Sequence, residues 1–214
     1  VNKMDKDNAN FSQALSELEK SFDTEAIPLQ MPIGSGSTFT GIVDIINMKA
    51  FGFDNNKAVE MPIPQDIAPE AMNYRKRLIE KIAESDDAML ERYLEGVELT
   101  HDEILKGIKE GSLSRKFLPV TCGSALKNIG VTELIDAIIL CLPSPSEMAR
   151  ISPVRGNNPK DNKTIERKTD AKEPFSAYVF KTIADPYAGK LSLFRVYSGT
   201  LRADSSVLNT TNDS

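Results

Sequence analysis

The sequence predicts an α/β chain: part of a parallel-sheet α/β domain interrupted by an inserted α+β subdomain, followed by a strand-only region too short to close a barrel. Three observations predict it. Two polar loop motifs, Asn2-Lys3-Met4-Asp5 and Cys122-Gly123-Ser124-Ala125-Leu126, stand far apart, the second after a strand-like run at residues 117–121 and before a helical pattern. Between them lies a strand-rich and then helix-rich block that breaks the expected order of strand, loop and helix. Beyond Lys172 the apolar period switches to two.

The elements follow in order. Asp7 or Asn8 is placed to cap a helix whose apolar stripe is Phe11, Leu15, Leu18 and Phe22. Residues 27–33 alternate like an edge strand, since Pro28 and Pro32 donate nothing to a central ladder. Gly34-Ser35-Gly36-Ser37 is a flexible turn and fails as a phosphate cradle, lacking a lysine and a following helix. Residues 39–46 and 49–53 are strand-like, with a hairpin turn at Asp54-Asn55-Asn56. Residues 66–84 and 86–94 are helical, carrying Ile67, Met72, Leu78, Ile79 and Ile82, then Met89, Leu90, Tyr93 and Leu94. Thr100 and Glu103 form a capping box that opens a helix with Ile104, Leu105 and Ile108. Val131, Leu134, Ile135, Ile138 and Ile139 make an apolar helix face closed by Pro143 and Pro145. Residues 147–172 are polar and read as a linker or surface excursion. Residues 175–183 and 191–197 are strands joined by a turn at 185–189, and a short run surrounds Val207-Leu208.

Bulk properties exclude several classes. A formal charge of −5 gives no general field for phosphates, which argues against a broadly basic nucleic-acid binder. Two cysteines without a C-x-x-C spacing or histidine partner read as reduced core thiols, as in the cytosol. No apolar run approaches the roughly 18 residues of a membrane span. Glu91, Glu95 and Glu98 read as helix surface, and His101, the sole histidine, sits at a helix start. No G-x-x-x-x-G-K-[S/T] motif occurs: before Gly189-Lys190-Leu191-Ser192 the first motif position is Ala184, and Leu191 stands where a hydroxyl is required.

The two loop motifs suit one flat ligand. An ionised Asp5 only accepts hydrogen bonds, so it fits the ring N–H and amino pair of guanine, and adenine offers no such pair. Lys3 is able to lay its methylene stem over a base, Asn2 both donates and accepts at the rim, and the small side chains of Ser124 and Ala125 let a backbone N–H approach the base carbonyl. The candidate base-binding residues are therefore Asn2, Lys3, Asp5, Ser124, Ala125 and Leu126.

Several longer stretches carry a resemblance. N-K-M-D, V-T-C-G-S-A-L-K-N-I-G-V, L-P-S-P, E-P-F-S-A-Y-V-F-K-T, D-P-Y-A-G-K-L and F-R-V-Y-S-G-T-L together resemble translation elongation factor G across essentially the whole chain. The resemblance implies the C-terminal part of a P-loop GTPase domain at residues 1–149, with an inserted subdomain at 33–116. A linker at 150–172 and the first strands of a translation-factor β-barrel domain at 173–214 would follow. It implies a cytoplasmic parent that hydrolyses GTP with magnesium and promotes ribosomal translocation, meeting ribosomal RNA and, through the insertion, the ribosomal stalk protein. Which of Arg75, Lys76, Arg77 and Lys81 would touch that protein stays open. In the resemblance the phosphate and magnesium elements all precede Val1, so the chain is expected to be a piece of a longer one, catalytically silent and a poor binder of GTP or GDP. The alternatives are a nucleotide-independent ribosome-binding module and a related GTPase of the release-factor or ribosome-protection type.

Overall fold

The computed structural model describes residues 1–54, 57–158 and 161–211, which divide into a unit at residues 1–142 and a second at 143–214. Of the turn expected at Asp54-Asn55-Asn56, Asn55 and Asn56 lie outside the described residues.

The first unit opens with the Asn2–Asp5 loop and helix α1 (Phe11–Phe22). Asn10, not Asp7 or Asn8, caps α1 by accepting from the Gln13 N–H at 2.9 Å. The earlier residues are spent on a turn, in which Lys6 N–H donates to Lys3 and Ala9 N–H to Lys6. Phe11 and Leu15 are buried, whereas Phe22, beside the left-handed C-cap Asp23, is 63% exposed and leaves the stripe.

The single edge strand expected over 27–33 is two strands in two sheets. Strand β1 (Ala26–Pro28) pairs in parallel with β6 (Leu118–Val120), and β2 (Gln30–Ile33) pairs antiparallel with β3 (Gly41–Asp44). Leu29 is the hinge between them: its N–H donates to Val120 at 2.8 Å, and its carbonyl accepts from Ile45 at 3.0 Å. The prolines are tolerated because both strands are short and β2 lies at the edge of its sheet, whose order is β2-β3-β4-β5 with β4 at Lys49–Asp54 and β5 at Lys57–Met61. The turn after β2 is a 3-10 helix at Gly36–Thr38.

Three helices follow: α2 (Ala68–Ala83), α3 (Asp87–Leu94) and α4 (His101–Leu113). Helix α2 buries Ala71, Tyr74, Leu78 and Ile82, while Met72 is 65% exposed, so the buried face is rotated from the expected one toward small and amphipathic residues. Three of the basic residues of α2 reach beyond the helix. Arg77 reaches Glu25 at 3.0 Å, Lys81 reaches Glu25 at 2.9 Å, and Arg75 donates to the Ile46 carbonyl at 2.7 Å. These three tie the helix to the segment after α1 and to the turn after β3. The α4 capping box forms as expected, with Thr100 N–H donating to Glu103 at 2.8 Å and Glu103 N–H to Thr100 Oγ1 at 3.3 Å.

Helix α5 (Val131–Cys141) completes the unit. The core gathers Met4, Ile27, Leu29, Phe39, Ile42, Leu78, Ile82, Ile108 and Phe117, all 2% exposed or less, which joins the Asn2–Asp5 loop, both sheets and the helices in one cluster. Cys122 and Cys141 are buried free thiols, as expected.

In the second unit, residues 147–172 are more ordered than a linker. Ser144 and Glu147 form a capping box on α6 (Pro145–Ile151), and β7 (Val154–Asn157) pairs with β8 (Thr164–Arg167). Few of these residues are apolar, so the hairpin rests on its own backbone ladder and stays largely exposed. Strands β9 (Ser176–Asp185) and β10 (Gly189–Ser198) form a long antiparallel hairpin with two register shifts, and Asp185 closes its turn by accepting from Tyr187 and Ala188. Val207-Leu208 form no strand. The chain is therefore mixed α/β, with a partial α/β domain followed by a β region.

Candidate functional site

The end of β6 builds the site. Beyond Val120 the backbone runs alongside residues 1–4: the Val1 nitrogen donates to Thr121 at 2.7 Å, Gly123 N–H to Val1 at 3.0 Å, and Met4 N–H to Gly123 at 3.1 Å. The two motifs, remote in sequence, are thus zipped together by main-chain bonds. The second loop closes on itself through reciprocal bonds between Ser124 and Ile129.

Side chains then cross-link the loops. Ser124 Oγ, in a residue only 1% exposed, donates to Asp5 Oδ1 at 2.6 Å and accepts from Lys127 N–H at 3.2 Å. Asn2 Oδ1 accepts from Ala125 N–H at 3.0 Å and from Lys3 N–H at 2.7 Å. The Ser124 hydroxyl holds the Asp5 carboxyl below its usual range, helped by the charges of Lys6 and Lys127. An ionised carboxylate only accepts hydrogen bonds; here Oδ1 is taken by Ser124 and the Asp5 side chain is 5% exposed. Lys3, at φ +65°, Ala125 and Leu126 are exposed around it.

All six residues singled out in the sequence therefore lie on two adjoining loops. One detail differs: the Ala125 N–H, expected to meet a base carbonyl, donates here to Asn2. Sequence reasoning missed Gly123 and Lys127 as partners, and although it placed a turn at residues 34–37, it missed that the Gly36 N–H donates to the Met4 carbonyl at 2.8 Å. A Gly-x-Gly directly after a strand was the available signal.

Other chemistry is sparse. A cleft of about 500 Å³ lined by Asp44, His101, Lys109, Glu133 and Asp136 over Leu29 and Leu105 offers no serine, threonine or cysteine for the histidine to activate. Among the described residues no three histidine, cysteine or acidic side chains could hold a metal ion.

Residues 1–144 match the model of the elongation factor Tu GTP binding domain, and residues 174–214 match that of elongation factor G domain 2. The chain belongs to the translational GTPases. Its α/β unit is thus a piece of a GTPase domain, and its β9–β10 region is of the domain II type. A crystal structure of a protein from Thermus thermophilus is similar, with a TM-score of 0.73 and 27% identity. The alignment covers 93% of this chain and 27% of that one, so the chain spans about a quarter of the length of the protein it matches.

Proposed function

We propose that this translational GTPase chain is of the elongation factor G type and supplies the guanine-recognising part of a nucleotide site. The observation that carries the reading is the cross-linked pair of loops, in which Ser124 fixes Asp5 and Asn2 fixes Ala125. A carboxylate locked by a neighbouring hydroxyl is pre-oriented, so guanine's N–H and amino donors meet it without the entropy cost of ordering a free side chain. Lys3 and Leu126 would border the ring. The match of residues 174–214 supports the elongation factor G assignment over release-factor or ribosome-protection relatives.

In such a protein GTP or GDP is held with magnesium. Among the described residues no group of three histidine, cysteine or acidic side chains could hold such an ion. Phosphates and their metal provide much of the affinity in this class, so the chain alone binds guanine nucleotides weakly. The parent would hydrolyse GTP during ribosomal translocation in the cytoplasm, meeting ribosomal RNA and the stalk protein. The insertion, proposed at 33–116 within a domain ending at 149, lies between β1 and β6, which pair directly. No helix among the described residues is long and apolar enough to cross a membrane.

The test is a titration of the ¹⁵N-labelled chain with GMP, IMP and AMP at millimolar concentrations. Amide shifts at Asp5 and Ala125 with GMP, weaker with IMP and absent with AMP, are expected. Asp5→Asn replaces an acceptor with a donor and should remove the GMP preference. Equal response to all three nucleotides sinks the reading.

A further inference from the structure

We propose that Gly36, in the turn after β2, is a positioning residue for base selection, acting through the Met4 carbonyl on the carboxylate of Asp5. The inference rests on the guanine reading above. The Met4 carbonyl and the Asp5 N–H belong to one planar peptide unit, so whatever fixes that carbonyl fixes the plane from which the Asp5 side chain hangs. Gly36 N–H donates to it at 2.8 Å. The preceding peptide is held from the other side, by Met4 N–H on Gly123, and the Met4 side chain is 1% exposed. Met4 is therefore clamped between the second base loop and the turn after β2.

The clamp is stiff on the Gly36 side. Thr38 Oγ1 accepts from Ser35 N–H at 3.2 Å and donates to the Ser35 carbonyl at 2.8 Å, while Phe39 N–H donates to Gly36 and its ring is 2% exposed. Glycine suits the contact without strain. Its φ is +58°, and a Cβ would come within 3.4 Å of both the Asp7 Cα and the Lys6 carbonyl. A Cβ there is at ordinary contact distance, so the strain on an alanine comes from the positive φ. The sheet β2-β3-β4-β5 thus reaches the base loop at one main-chain bond, and base selection depends on it.

The experiment uses the full chain and reads the ratio of the GMP and IMP dissociation constants by amide shifts. IMP lacks the 2-amino group, so this ratio reports one of the two hydrogen bonds to Asp5 and is insensitive to the fraction of chain that is folded. About tenfold preference for GMP is expected from wild type, the worth of a hydrogen bond to a charged group. Gly36→Ala should reduce it to about twofold, while Gly36→Asn, better suited to positive φ, retains more of it. Thr38→Val loosens the turn and leaves Gly36 itself in place, and it should fall between wild type and Gly36→Ala. Unchanged ratios in all variants, with GMP and IMP weakened in equal proportion, overturn the proposal. Loss of any wild-type distinction between GMP and AMP instead overturns the base-site reading beneath it.

Discussion

At the scale of single residues, environment decides which groups carry charge. Arg92 and the Thr100 cap hold the Glu103 carboxyl at about 2, from an ordinary 4.5. A depressed carboxylate adds stability that is complete above the unfolded value and is lost as pH falls through the folded one. Glu103→Gln should therefore be less stable than wild type at neutral pH, and urea midpoints of the two should converge between pH 4.5 and about 2. A gap that persists at the acid end contradicts this. The thiols behave in the opposite sense. Burial pushes Cys122 up to about 12 and Cys141 to about 11, so neither is a thiolate at mildly alkaline pH. Iodoacetamide should modify both far more slowly in the folded chain than in urea, as followed by mass spectrometry; equal rates would show Cys122 to be accessible. The adjacency of the two loops was legible for a chemical reason, because Asp5 and Ser124 are complementary acceptor and donor, and they do bond to each other. Gly36 was not, since its contribution is a main-chain N–H that every residue but proline possesses.

At the scale of elements, what could be read depended on whether the determinant was local. The α4 cap was visible because Thr100 and Glu103 are three residues apart and satisfy each other's backbone. The division of residues 27–33 between two sheets was invisible, because pairing of β1 with β6 is set across some ninety residues by the hinge at Leu29. The rotated face of α2 has the same origin. Ile82 packs where α4 carries Gly107, and a Cβ on Gly107 would lie 2.2 Å from Ile82 Cγ2. The helices approach closely only because that position lacks a side chain. Alanine there has better helix propensity by about 1 kcal/mol, yet overpacking costs about 1–3 kcal/mol. Gly107→Ala should be net destabilising in urea unfolding, and Ile82→Ala should cost about 2–5 kcal/mol by itself. The double variant should lose less than the sum, since each change makes room for the other. Strict additivity would mean the two residues do not share this contact.

For the whole molecule, apolar surface is distributed unevenly. One side of α5 presents Leu134, Ile135, Ile138 and Ile139, each at least 43% exposed, and Leu142 just beyond it is 58% exposed. The sequence pattern identified this stripe correctly as one face, but a stripe specifies only that something apolar belongs against it. The opposite side of α5, through Ala137, Leu140 and Cys141, is the one that joins the core. In the second unit Tyr178, Val179, Phe180, Leu193, Phe194 and Val196 are likewise at least 41% exposed, on both faces of β9–β10. Monomeric proteins rarely leave contiguous patches above a few hundred Å² uncovered, so the native chain should bind the dye ANS and brighten it without denaturant. Ile135→Lys with Ile138→Lys should remove the share belonging to α5 and leave that of the hairpin. Since both positions face solvent, the melting transition of residues 1–142 should scarcely move. Fluorescence that is unchanged by the pair, or absent in the wild type, would mean that these faces are covered in solution.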